Sequence, residues 1–112
     1  MSVLGAGDRI RAAMLDLEGV TVQPHRFGGH EYRLGRREIG HVHGDSLVDI
    51  PFSRKTRDQV LTAGQAEAHH LLPDSGWVSR YLRRSEDVET AIALLRMSYD
   101  LARRRGHASD GD

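Results

Sequence analysis

Between residues 20 and 51 the apolar side chains alternate, and glycine-led pairs interrupt them at Gly28-Gly29, Gly35-Arg36 and Gly44-Asp45. A period of two is the signature of strands. Glycine in first place of a two-residue loop suits the positive φ of tight hairpin turns. The stretch therefore predicts a four-stranded antiparallel meander. Few folds accept four consecutive neighbouring strands in so short a span unless other elements cover one face.

The flanking segments supply that cover. Ala6, Ile10, Ala13, Met14 and Leu17 form one stripe of a helix predicted over Ala6–Glu18, with Gly19 as its stop. Ser53 suits the cap of a second helix, Arg54–Ala63, closed by Gly64. Two further strands are expected at about Glu67–Leu71 and Trp77–Leu82, joined by the turn Leu72-Pro73-Asp74-Ser75-Gly76. A last helix is expected to start at a Ser85 cap, with Glu86, Asp87 and Glu89 near its positive end. Val88, Ala91, Ile92, Leu95, Tyr99 and Ala102 form its buried stripe, and Arg103–Arg105 close it before Gly106. The expected order is α-β-β-β-β-α-β-β-α: an α+β fold with an antiparallel sheet, a four-stranded meander plus two further strands, and helices packed on one face. The reading is one domain over residues 1–106 and a disordered tail over 107–112.

Composition narrows the chemistry. Sixteen basic residues balance sixteen acidic ones, so no net field draws the chain to nucleic acid or to an anionic membrane. With no cysteine, disulfides, thiolate metal sites and cysteine nucleophiles are excluded. No leader pattern or apolar span is seen, and a cytoplasmic location is expected.

Counting outward from two-residue turns places His43 opposite Ser46, His41 opposite Val48, Tyr32 opposite Ile39 and His30 opposite His41. On that register His30, His41, His43 and Ser46 share the core side with Tyr32, Ile39, Val48 and Ile50. Glu31, Arg33, Glu38, Gly40, Val42, Leu47 and Asp49 fall on the solvent side. Val20 and Val22 then fall on the wrong side from His25 and Phe27, and a bulge near Pro24 is expected. His41 and His43, at i and i+2 of a strand, lie roughly 6 to 7 Å apart on one face. They can share one transition metal, with a third ligand from His30, His69 or His70; the plainer alternative is polar residues at the mouth of a core. Arg54, Lys55 and Arg57 in the first turn of the second helix suggest either an anion site or a solvated basic face. Trp77, Ser79 and Tyr81 alternate along one face of the last strand, as pocket lining or as core.

The segment R-R-E-I-G-H-V-H-G-D, residues 36–45, resembles the K-R-E-I-A-H-M-H stretch of fungal luciferase. A-H-H-L-L-P-D-S-G-W-V-S, residues 68–79, is similar to the later family segment in which a histidine precedes a proline-containing turn and a tryptophan. With the aliphatic run leading to Tyr99, the resemblance covers roughly residues 30–102 and extends to short bacterial proteins of the luciferase-domain family. It implies an oxygen-using reaction on a hydroxylated pyrone-type aromatic, without flavin or nucleotide. Arg37, Glu38, Ile39, His41, His43 and Trp77 match the pattern, and the register favours His70 over His69 for the later histidine. The fungal proteins continue past H-x-H with a further histidine and aspartate, where this chain turns at Gly44-Asp45. They also carry a long N-terminal region with a membrane segment. Light emission is therefore not implied. The last third also resembles, more faintly, MmcQ/YjbR-like proteins, compact α+β domains suspected of binding DNA.

The expected function is that of a luciferase-domain protein that binds a small aromatic or enolic molecule in a histidine-lined pocket, with its oxidation as a further possibility. His41, His43 and His70 are the catalytic candidates. His30, Tyr32, Ser46, Trp77 and Tyr81 would bind substrate. The cofactor is either none or a single transition metal at His41 and His43, and Glu38 is the weaker base because it points to the other face. The alternative is a non-catalytic nucleic-acid- or protein-binding module using Arg54, Lys55, Arg57, Arg80, Arg83, Arg84 and Arg103–Arg105, against which the interleaved acidic residues speak. A homodimer is compatible with either reading.

Overall fold

The computed structural model describes residues 2–25 and 28–111, side chains of 106–111 excepted. The element order is α1 (Ala6–Leu15), β1 (Val20–Pro24), β2 (His30–Leu34), β3 (Arg37–His43), β4 (Leu47–Pro51), α2 (Arg54–Thr62), β5 (Glu67–Ala68), β6 (Trp77–Tyr81) and α3 (Ser85–Gly111). This is the expected α-β-β-β-β-α-β-β-α succession. The six strands form one antiparallel sheet in the order β1-β2-β3-β4-β6-β5. No helix among the described residues is long and apolar enough to cross a membrane.

One face of the sheet is dry. Tyr32, Val42, Val48, Ile50 and Val78 are buried with Ile10 and Met14 of α1 and Val88, Leu94 and Leu95 of α3. Each such aliphatic side chain contributes about 1.5–3 kcal/mol by leaving water. Val60 of α2 joins the same cluster. α1 stops at Leu15, short of the expected Glu18, because the chain tightens there. Leu17 N–H bonds back to the Met14 carbonyl, and Tyr99 Oη donates to the Glu18 carbonyl at 2.6 Å. Ser53 caps α2 as expected, accepting from Thr56 N–H. At α3 the expected Ser85 cap gives way to Asp87, whose carboxylate reaches back to the N–H groups of Arg83 and Arg84, both at 2.8 Å. β5 is shorter than expected because the chain turns at His69, whose Nδ1 accepts from the N–H groups of Leu71 and Leu72.

The meander contains two slips of one residue. Leu34 pairs with Arg37 across the Gly35-Arg36 turn as expected, but Tyr32 then pairs with Gly40, leaving Ile39 as an extra residue. The bulge is held from α3: Ser98 Oγ donates to the Ile39 carbonyl at 2.8 Å, and Leu95 packs over Gly40, where a Cβ would lie 2.6 Å from its Cδ2. The β3–β4 loop has three residues, so that His43 pairs with Leu47 and His41 with Asp49. Asp45 is drawn out of the ladder because its carboxylate accepts N–H bonds from Gly5 and Gly7, at 3.3 and 2.8 Å, at the start of α1. β1 pairs regularly from Val20 to Pro24, with Val20 and Val22 partly buried against the core, so no register shift falls within that described strand, against the bulge expected near Pro24. Phe27 lies outside the described residues.

A one-residue slip exchanges the faces of a strand. The side assignment made from two-residue turns is therefore corrected. His41 and His43 sit on the face away from α1 and α3, with Glu31, Leu47 and Asp49, while Val42 lies in the core.

Candidate functional site

The open face of the sheet carries a polar cluster around one buried acid. Asp49 of β4 is 1% exposed. Its Oδ2 lies 3.1 Å from His41 Nε2, 3.1 Å from His43 Nε2 and 3.5 Å from His69 Nε2. Its Oδ1 accepts from Ser79 Oγ of β6 at 2.6 Å. Strand pairing makes the arrangement: His41 faces Asp49 across β3–β4, and Ser79 faces Asp49 across β4–β6. His43, two residues beyond His41, completes the row.

Glu38 approaches His41 from the other side, its Oε2 2.7 Å from Nδ1. On a regular strand residues 38 and 41 would point to opposite faces. The extra residue at Ile39 puts them together, with Glu38 opposite Arg33 and His41 opposite Glu31. The reading of Glu38 as pointing away is thereby corrected.

Aromatic rings enclose this core. His25 stacks on His41 with ring centroids 4.0 Å apart, and Trp77 lies 5.2 Å from the same ring. His43 stands edge-on to His41 at 5.0 Å and 89°. Trp77 also meets His69 at 6.0 Å, and the exposed His70 stacks on His69 at 4.4 Å. Glu38 and Trp77 also border a cleft of about 330 Å³, which continues over Phe52 and Ser53 to Leu101 of α3.

The charges follow from these contacts. Burial alone would depress the basicity of His41, but bonds to Asp49 and Glu38 outweigh it and push its pKa up to about 9. Burial likewise works against the Asp49 carboxylate, yet the bonds from His41 and Ser79 bring its pKa down to about 2. At neutral pH the centre is an imidazolium held between two carboxylates. Burial lowers the pKa of His69, with Asp49 opposing and the positive fields of His70 and His41 adding to the fall. Because His69 Nδ1 accepts two backbone N–H bonds, its proton sits on Nε2 and points at Asp49.

Of the residues singled out by sequence, the cluster contains His41, His43 and Trp77. His69 rather than His70 reaches Asp49. His30 pairs with Val42 and is exposed on the other side of β2, and Tyr32 is buried in the core beneath the helices. Ser46 lies in the β3–β4 loop, where its hydroxyl donates to the His43 carbonyl. Tyr81 shares the open face but packs under the Arg83 guanidinium at 5.0 Å. Arg54 and Lys55 are exposed. Arg57 is spent on Asp58 and on the carbonyls of Pro73 and Ser75, which tie α2 to the 72–76 turn. Sequence reasoning placed Asp49 in solvent and left Ser79 in a row read either as pocket lining or as core. The signal that could have found Asp49 is an aspartate between apolar residues in the strand following H-x-H.

A family model described as Luciferase domain matches residues 36–98, more than half of the 112-residue chain. The matched span holds Glu38, His41, His43, Asp49, His69, Trp77 and Ser79, every cluster residue except His25. No curated protein and no solved structure matches the chain.

Proposed function

The chain belongs to the luciferase-domain family, and we propose that its open sheet face binds a small acidic molecule, an enol or a phenol, and takes its proton. The observation that carries this reading is the convergence of three imidazole nitrogens on one buried carboxylate oxygen, Asp49 Oδ2. Packing alone does not call for such a cluster, and leaving any member unpaired would cost about 1–3 kcal/mol or more.

Within the cluster the roles divide by environment. Both ring nitrogens of His41 face carboxylates, so His41 supplies positive charge rather than a vacant lone pair. His43 presents Nε2 to Asp49 and is the more exposed of the pair, with 30% of its side chain accessible against 10% for His41. With the proton held on Nε2 by Asp49, its Nδ1 lone pair is the base. An orienting carboxylate behind a basic histidine is a recurrent arrangement for proton abstraction. The His41 imidazolium stabilises the anion that forms, and Trp77 offers a flat face to a planar ligand. An enolate or phenolate is electron-rich, the form in which such molecules react with dioxygen. Oxidation of the bound anion is the step that the family resemblance adds.

The test is a titration of a nitrophenol, buffered about one unit below its own pKa so that it enters neutral, into chelator-treated protein, followed by the visible absorbance of its phenolate. The expected result is the spectrum of the anion at saturation, lost in His43→Ala. Saturable anion formation that persists unchanged in folded His43→Ala removes the base from this reading. The absence of any interaction across a panel of enols and phenols removes the reading itself.

A further inference from the structure

We infer that His41, His43 and Asp49 form a binding site for one divalent first-row transition metal, with two imidazoles and one carboxylate as ligands. The inference rests on the reading of the open face as the working face and names the cofactor of that same site.

The ligand atoms of these three residues lie within 4.8 Å of one another. The planes of the two rings are 89° apart, so their Nε2 lone pairs can approach a single point from different directions. Asp49 divides its oxygens: Oδ1 is held by Ser79, and Oδ2 faces the histidines. Glu38 holds the Nδ1 of His41, as a carboxylate behind a metal-bound histidine commonly does, fixing the ring and raising its basicity. Two imidazoles and a carboxylate on one side leave coordination positions open, the donor set used for Fe(II) and related ions.

His69 is the discriminating residue. Its Nδ1 accepts two backbone N–H bonds, so Nε2 carries the proton and has no lone pair to give. It is a hydrogen-bond donor toward the site and not a ligand. Loading is balanced without it. The metal replaces the Nε2 proton of His41, which is released to solvent, and the proton of His43 moves from Nε2 to Nδ1. A metal held there would supply a Lewis acid that favours the anionic form of a bound enol or phenol, whose proton would pass to solvent rather than to His43.

The experiment is an anaerobic titration of chelator-treated, untagged protein with Co²⁺, read by its visible ligand-field bands and by the shift in Tm, with no organic ligand present. The expected result is one equivalent bound, loss of the bands in His43→Ala and their retention in His69→Asn, whose side-chain oxygen can still accept the backbone bonds. Circular dichroism verifies that both variants are folded. Failure of wild-type protein to bind cobalt stoichiometrically overturns the site, as does undiminished binding by His43→Ala. Loss of binding in folded His69→Asn overturns the ligand assignment. Because this titration uses only the metal and the phenol titration only metal-free protein, either reading can fail without the other.

Discussion

Glu38 and His41 are three residues apart on one strand, yet their side chains meet, Oε2 2.7 Å from Nδ1. The contact exists because Ile39 is an extra residue in β3. It ties the geometry of a bulge to the electrostatics of the site. Glu38→Gln keeps a hydrogen-bond acceptor and removes the charge. In metal-free protein the titration of His41, followed by NMR, should then fall from about 9 toward the ordinary histidine range. Cobalt affinity should weaken roughly 10- to 100-fold at unchanged stoichiometry. An unchanged titration would mean that Glu38 does not hold His41 in solution.

Gly40 should tolerate no side chain. A Cβ there would lie 2.6 Å from Leu95 Cδ2 and 2.9 Å from the Asp49 carbonyl oxygen. Leu95 can shift, but the backbone of β4 cannot without moving Asp49. Gly40→Ala should destabilise the fold by about 1–3 kcal/mol in urea unfolding. Stability equal to wild type would show that β3 and β4 are less closely apposed.

Asp45 anchors the three-residue loop to the start of α1 through bonds to Gly5 and Gly7. Asp45→Ala should cost about 0.5–2 kcal/mol, the usual range for loss of an N-terminal cap. Because the loop sets the β3–β4 register, the same variant should also broaden the NMR signals of His43. A loss of stability without any change at His43 would separate the cap from the register.

Asp87 gives the acid limb of stability a local source. Burial acts to raise its pKa, but the N–H groups of Arg83 and Arg84 and the Arg80 guanidinium lower it further than burial raises it. The folded value is therefore below the unfolded one. Its contribution is complete above the ordinary aspartate range and is lost as the pH falls through the depressed folded value. Asp87→Asn should lower stability at neutral pH and flatten the decline of Tm on acidification. A decline as steep as in wild type would place the acid sensitivity elsewhere.

The element order was legible because periodicity and caps are local signals. The α3 stripe from Val88 to Ala102, the Ser53 cap and the Gly35-Arg36 turn can be read from a few neighbours. The face of the histidines was not legible, for a physical reason. It depends on two single-residue slips, and each is fixed by a partner distant in sequence: Ile39 by Ser98, and the 44–46 loop by Gly5 and Gly7. Parity along a strand is unforgiving, so the slips moved His41 and His43 from the core side to the side of Asp49. His69 and His70 posed a similar problem, since only the turn of the backbone after β5 decides which imidazole points inward.

Trp77 is the only tryptophan in the chain, and its ring lies 5.2 Å from that of His41. A protonated imidazole quenches indole fluorescence more strongly than a neutral one. The most direct test of the cluster is therefore a pH titration of intrinsic fluorescence in metal-free protein. Emission should rise with a midpoint near pH 9, where His41 loses the proton held between Glu38 and Asp49. A profile with no transition near pH 9 in folded protein, whatever His69 at 6.0 Å from the same ring adds at lower pH, would contradict an imidazolium locked between two carboxylates beside Trp77.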